Sequence, residues 1–269
     1  MSPQPPSRWI PPLRLEGVWQ MAIDEWLLDQ AVQSPATAGA LLRFYGWRRP
    51  TLSIGFHQRR LPGHWLRLLE GGVVDLVRRP SGGRAVLHAG ELTYALVWPQ
   101  APQRRAVAYA RACDWLQAAF AELDQPLVFG RQAATAERSS CFATSTAADL
   151  VHGNGAKRIG SAQLWRGGCL LQHGSVLLRP PPDLWQELFH HAPPCLPTLP
   201  LAEGELVAHL RRSAEQHWGP LRGAGLRERA LTDGERAEIA QRLPRYRPLP
   251  EAWEGSAATS PAATIPRAT

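Results

Sequence analysis

Residues 78–88 read Arg78-Arg79-Pro80-Ser81-Gly82-Gly83-Arg84-Ala85-Val86-Leu87-His88, two glycines set among three arginines. On either side, 73–77 (VVDLV) and 85–98 (AVLHAGELTYALVW) read as strands, so the glycine pair lies in a loop between strands. Glycine lets backbone approach a ligand closely and turns amides toward it. Arginines beside such a loop suit an anionic ligand. The stretch lacks GxxxxGK[ST], and no GxGxxG opens a helix, so it is not a nucleotide loop of either kind. On spacing alone, a Gly-Gly turn carrying solvated arginines fits equally well.

Working outward, 17–34 (VWQMAIDEWLLDQAVQSP follows Gly17) predicts an amphipathic helix that stops at a proline. Short strands are expected at 41–46 and 51–55, separated by Trp47-Arg48-Arg49-Pro50. Residues 104–123 place Val107, Ala110, Cys113, Leu116, Phe120 and Leu123 at helical spacing. Residues 131–146 are small and polar without a period, which predicts a loop. Strands follow near 148–152, 158–163 and 169–178, then helices at 183–191, 203–217 and 232–243. Residues 1–14 are expected to be a Pro-rich irregular lead-in, 15–243 one folded domain, and 244–269 a disordered Pro/Ala-rich tail. Strands and helices interleave without clean βαβ units, which predicts a mixed central sheet flanked by helices, α/β (α+β) in class.

The chain has 269 residues, 30 of them basic and 23 acidic, for a net charge of +7. Lys157 is the single lysine; the other basic residues are arginines. Arg43 to Arg84 holds nine Arg against two acids, a surplus equal to that of the whole chain. Such a region favours an anionic partner, or serves as a solubilising face. No apolar run reaches the length that spans a bilayer, and the first residues lack the apolar core of a secretory signal. The four cysteines form no CxxC and pair with no His at metal spacing, so neither a metal site nor a disulfide scaffold is expected. The chain reads as cytoplasmic with reduced thiols.

Among the thiols, Cys113 falls on an apolar helical stripe and reads as core, as does Cys169 at the start of an apolar strand. Cys195 sits among prolines and reads as inert. Cys141, in Ser139-Ser140-Cys141-Phe142, is the best placed of the four for a nucleophile. Lys157 precedes Gly160-Ser161-Ala162-Gln163, and in so Arg-biased a chain it invites a role that Arg cannot fill. His173, in Gln172-His173-Gly174-Ser175, reads as a hydrogen-bonded structural residue or a base.

Taken in order, these segments resemble the biotin/lipoate protein ligase superfamily, and within it the cysteine-dependent octanoyltransferase branch. Met21–Glu25 looks like the family's first helix. Arg43–Trp47 with Pro50–Gly55 looks like its opening strand pair, and 78–88 looks like its substrate loop. Cys141-Phe142, Lys157, Gly160–Gln163 and Gln172–Ser175 complete the pattern. The resemblance implies the class II synthetase/biotin ligase-like catalytic fold over 15–243. It also implies octanoyl transfer to a lysine of a lipoyl-domain protein in lipoate biosynthesis. By carry-over, Cys141 is the acyl-thioester nucleophile and Lys157 lowers its pKa. Arg79, Ser81, Gly82, Gly83, Arg84, His88, Gly160, Ser161, Ala162, Gln163, His173 and Gly174 bind substrate. The implied donor is octanoyl-phosphopantetheine on an acidic acyl carrier protein. The implied acceptor is glycine cleavage H protein or a 2-oxoacid dehydrogenase E2. No cofactor, metal, nucleic acid or membrane partner is implied, and a monomer is expected. Arg84 replaces the third glycine usual in ATP-dependent ligases, and Ala89-Gly90-Glu91-Leu92 follows His88, both of which favour the transferase. An ATP-dependent lipoate ligase and an amidotransferase between lipoyl domains are the alternatives.

Overall fold

A computed structural model describes residues 6–130, 149–222 and 225–247. The Cys141 assignment and the 131–146 loop therefore lie outside the described residues, as does 248–269.

The described chain runs β1 (Ser7–Leu15), α1 (Gly17–Gln33), β2 (Leu41–Trp47), β3 (Thr51–Ile54), α2 (Gly63–Glu70), β4 (Asp75–Arg78), β5 (Val86–His88), β6 (Glu91–Trp98) and α3 (Arg105–Ala121). It continues as β7 (Val128–Phe129), β8 (Asp149–Val151), β9 (Lys157–Arg166), β10 (Cys169–Leu177), α4 (Pro182–Phe189), α5 (Glu203–His217), β11 (Leu226–Glu228) and α6 (Asp233–Ala240). Eight strands form one mixed sheet in the order β11-β1-β2-β6-β10-β9-β8-β7, and β4-β3-β5 form a small second sheet. This is the mixed sheet with flanking helices that the pattern predicts.

The large sheet is covered on both faces, which is why β2, β6 and β10 are buried along nearly their whole length. One face packs Phe44, Leu96 and Ile159 against Trp115, Phe120 and Leu210 of α3 and α5. The other packs Tyr45, Val97 and Leu171 against Met21, Ile23 and Leu28 of α1 and Ile239 of α6. The small sheet makes its own core with Trp65 and Trp185 of α2 and α4.

Three expectations change. Residues 7–15 are not an irregular lead-in but β1, parallel to both β2 and β11. Its prolines, which donate no N–H, coincide with the register shift between Ile10 and Leu13. The Arg8 guanidinium grips both Glu235 oxygens, at 2.7 and 2.8 Å, tying the strand to α6. Next, the run 85–98 is two strands in different sheets, parted by a turn at Ala89-Gly90. Finally, Tyr246 is buried and donates to Glu25, so the chain packs on α1 as far as residue 246. Helix α2 and the short strands β7 and β11 carry no local signal strong enough to predict.

Candidate active site

A small pocket opens where the 79–84 loop crosses the end of the small sheet and faces β9 and β10 of the large one. Its walls are mostly apolar: Met21, Trp47, Val86, Ala162 and the backbones of Gly83, Gly160 and Gly174. The polar groups that reach it come chiefly from Ser53, Arg79, His88, Ser161 and His173. A pocket with few, converging polar groups is the ordinary form of a small-ligand site.

The loop is held from within by arginine. Arg79 is buried, and its Nη1 donates to the Ser53 carbonyl and Oγ at 2.8 and 3.0 Å. Its Nη2 donates to the Gly82 and Arg84 carbonyls at 3.0 and 2.5 Å. Arg78 Nη1 holds the Gly55, Phe56 and Gln58 carbonyls. Both side chains thus tie the loop to neighbouring backbone, and Arg79 also borders the pocket. Gly83 adopts φ +95°, which favours glycine. Gly55 lies so close beneath it that an added Cβ would stand 1.9 Å from the Gly83 oxygen.

Two serine–histidine–carboxylate chains meet the pocket. In the first, Ser81 Oγ lies 2.6 Å from His173 Nε2, and His173 Nδ1 lies 2.9 Å from Asp24 Oδ2. Asp24 is fully buried on α1 and also accepts from Arg43 Nε at 2.9 Å and Tyr45 OH at 2.8 Å. Burial pushes the Asp24 carboxyl up, but Arg43 and the His173 and Tyr45 hydrogen bonds outweigh it, so the group titrates below the usual carboxylate range. A charged acceptor at Nδ1 assigns the His173 proton to Nδ1 and leaves Nε2 to accept from Ser81.

In the second, Ser53 Oγ lies 2.8 Å from His88 Nε2, and His88 Nδ1 lies 3.2 Å from Glu91 Oε1. Glu91 also accepts from Thr93 and Ser175. Trp47 stacks on His88, ring centroids 3.8 Å apart, and donates to Thr93. Burial lowers the His88 pKa, only partly offset by Glu91, so the ring is neutral near pH 7.

Of the residues expected at the site, Arg79, Gly83, His88, Gly160, Ser161, Ala162, His173 and Gly174 converge on the pocket, with Ser81 directly behind His173. Gly82 and Arg84 join through carbonyls bound by Arg79. Gln163 instead pairs with Gln172 at 2.8 Å and accepts from Trp165, further along β9. Lys157 is not the exposed cation that a lysine at a loop end ordinarily is. It is buried, with Nζ 2.7 Å from Asp149 Oδ1, where the described chain resumes after 131–148. The Asp149 carbonyl accepts from the Gly130 amide at 2.9 Å, so the two ends of that segment meet at the foot of β9.

Asp24, Arg43, Tyr45, Ser53 and Glu91 were assigned no role from sequence. The one usable signal was Asp24, an acid embedded among Met21, Ile23, Leu27 and Leu28 on the buried face of its helix.

The fold is that of the lipoate ligases. A T. acidophilum protein described as a putative lipoate protein ligase, solved with lipoic acid, superposes with TM-score 0.73 over 89% of this chain and 95% of that one at 18% identity. A second, from Thermoplasma acidophilum, solved in a study of a bi-partite lipoate protein ligase and its E2 lipoyl domain, gives 0.69 over 90% and 93% at 16% identity. The lipoyl protein ligase A/B catalytic domain model matches residues 16–193, and the chain belongs to that family. Among its relatives, the octanoyltransferase LipM of Carboxydothermus hydrogenoformans is 36% identical over 177 residues, 64% of this chain and 65% of that protein. The octanoyltransferase LipM of Kyrpidia tusciae is 34% identical over 248 residues, 84% of this chain and 85% of that protein. The match thus spans just under two thirds of the first of these proteins and most of the second.

Proposed function

We propose that this protein moves an octanoyl group from octanoyl-acyl carrier protein, through a thioester on Cys141, to a lysine of a lipoyl-domain protein in lipoate biosynthesis. The observation that carries this reading is the apolar pocket under the 79–84 loop, whose arginines 78 and 79 are committed to loop carbonyls. Such a site suits an alkyl chain and a carbonyl better than a triphosphate. Burying about seven methylenes at roughly 0.8 kcal/mol each contributes some 5–6 kcal/mol, enough to select an eight-carbon acyl group over a much shorter one.

The chemistry needs no ATP, because a thioester donor is already activated. The Cys141 thiolate attacks the octanoyl carbonyl, the new C–S bond forms, and phosphopantetheine leaves as its thiolate, to be protonated from solvent. The lysine amine then attacks the new thioester, the C–N bond forms, and the Cys141 thiolate departs. Lys157 is the cation assigned to stabilise that thiolate and the developing oxyanion, worth roughly 3–4 kcal/mol for one well-placed donor. Glycine cleavage H protein or a 2-oxoacid dehydrogenase E2 is the acceptor class.

The carrier protein is acidic, and its docking face is narrower than the run of arginines suggests. Arg43 and Arg79 are buried and Arg78 is tied to carbonyls, which leaves Arg48, Arg49, Arg59, Arg60 and Arg67 exposed. Phe56, 57% exposed, stands beside the substrate loop and near Arg59 and Arg60 in sequence, an aromatic-plus-Arg pairing typical of interface anchors. Loading from the carrier protein is accordingly expected to slow with salt.

Intact mass after mixing with octanoyl-acyl carrier protein tests the reading. One added octanoyl group, absent in Cys141→Ala and passed to a lipoyl domain as an amide, is expected. No adduct, or an unchanged adduct in Cys141→Ala, would sink it. Loading from an octanoylated lipoyl domain but not from carrier protein would turn the reading to amidotransfer. Lipoate-stimulated ATP–pyrophosphate exchange would turn it to a ligase.

A further inference from the structure

We propose that Ser81, His173 and Asp24 form a proton relay that takes the proton released when the acceptor amine attacks the acyl thioester. The proposal rests on the acyl-transfer reading and adds to it a group that drives the second step.

The two Ser–His–carboxylate chains differ at the serine. Ser53 Oγ donates to His88 and also receives Arg79 Nη1, and its neighbours Glu91, Thr93 and Ser175 close a ring of mutual partners. That network is complete without a ligand. Ser81 Oγ has one hydrogen-bond partner among the described residues, His173 Nε2 at 2.6 Å. A hydroxyl carries one donor and two acceptor lone pairs. With its proton committed to Nε2, Ser81 keeps both lone pairs to receive an N–H. Ser81 is itself buried against His173, with the half-buried Gly82 and the exposed Gly83 next in the loop. His173 itself lines the pocket assigned to the acyl group.

A lysine side chain is an ammonium ion near pH 7 and gives its first proton to solvent before it attacks; once the C–N bond forms, the nitrogen is positively charged again and must lose a second proton to become an amide. In the relay the nitrogen attacks the carbonyl carbon, its N–H passes to Ser81 Oγ, and the Ser81 proton passes to His173 Nε2. The C–S bond breaks with its electron pair on sulfur. His173, now an imidazolium against the Asp24 carboxylate, returns the proton to the departing thiolate, so atoms and charge balance. The charged and titratable groups facing His173 are Asp24 from α1, Arg43 and Tyr45 from β2 through that carboxylate, and His88 from β5. Asp24 and Arg43 are positioning residues, since they act through His173.

The experiment isolates the second step. Octanoyl-enzyme is made from octanoyl-acyl carrier protein, freed of donor, and mixed with lipoyl domain, and its decay is followed by mass across pH. In Ser81→Ala, discharge to lysine is expected to slow about 10²-fold more than loading does, in the range of a lost general base. Ser81→Thr, which keeps the hydroxyl, should retain most of the rate. Hydroxylamine, a much weaker base than lysine, gives up its proton to water after attack and should discharge the wild type and Ser81→Ala alike. Wild-type discharge of Ser81→Ala to lysine, or equal slowing with lysine and hydroxylamine, overturns the relay while leaving acyl transfer standing. Failure of the wild type itself to load overturns the acyl-transfer reading, and the relay with it.

Discussion

Two chains of the same three residue types meet one pocket, yet one is closed and the other is open at its serine. Around His88 each polar atom of the serine and the carboxylate finds a protein partner, and Trp47 covers the ring face. Around His173 the carboxylate end is the more heavily tied, by Arg43 and Tyr45, while among the described residues the Ser81 side chain has His173 alone. A satisfied buried network rigidifies its surroundings. A network tied at one end and open at the other is oriented, with capacity left for a ligand. The chemistry of the residues is the same in both; their partners separate scaffold from machinery.

Asp24→Asn should break this comparison most severely. Arg43 would remain in a fully buried slot without its carboxylate, a loss of about 3–5 kcal/mol, read as a lower denaturant midpoint. The pH dependence follows from the direction of the Asp24 shift. Its folded value lies below the ordinary carboxylate value, so its contribution is complete above the unfolded value and is lost as pH falls through the folded one. The acid side of the stability profile should therefore be shallower in the variant. An unchanged acid limb would mean that another carboxylate holds this end of the molecule.

Gly55→Ala should come next. Its Cβ would stand 1.9 Å from the Gly83 oxygen, so the substrate loop must shift, at about 2–3 kcal/mol, with acyl loading lost alongside. Gly82→Ala meets no atom within 4 Å and should melt close to the wild type, so thermal melts of the pair show whether the loop is seated on Gly55.

Ser53→Ala sharpens the contrast between the two chains. It leaves Arg79 Nη1 and His88 Nε2 each short of a partner, which costs about 1–2 kcal/mol. Its discharge to lysine should slow far less than that of Ser81→Ala; a slowing as large as that of Ser81→Ala would erase the distinction. The smallest effect is expected at Cys113. Burial pushes this thiol up to about 12, so maleimide at pH 8 should leave it unlabelled in the folded protein, as peptide mapping would show.

Much of the frame was legible in residue order. Helix α5 occupies the predicted 203–217, and α1, α3 and α4 lie within two residues of expectation, because periodicity and proline stops are local signals. Part of the pocket lining was legible too, through the ordered motifs from Arg79 to Gly174, while Tyr45, Ser53 and Thr93 were not. What could not be read is partnership. β1 looked irregular because its prolines suggest loop, and its partners β2 and β11 are remote in sequence. The ties of Arg78 and Arg79 to backbone carbonyls could not be read either, because nothing in their spacing shows what surrounds them.

By itself, then, the sequence determined the class of sheet, the loop of Gly82 and Gly83, and many of the residue types brought to the pocket. The tertiary structure alone decided which serine is open. Ser81 meets His173 across 92 positions, and His173 meets Asp24 across 149. Those contacts follow from the register of β6, β10 and β9 and the seating of α1 on the sheet. A hydrogen bond depends on a few tenths of an ångström between elements far apart in the chain, and no local pattern encodes that distance.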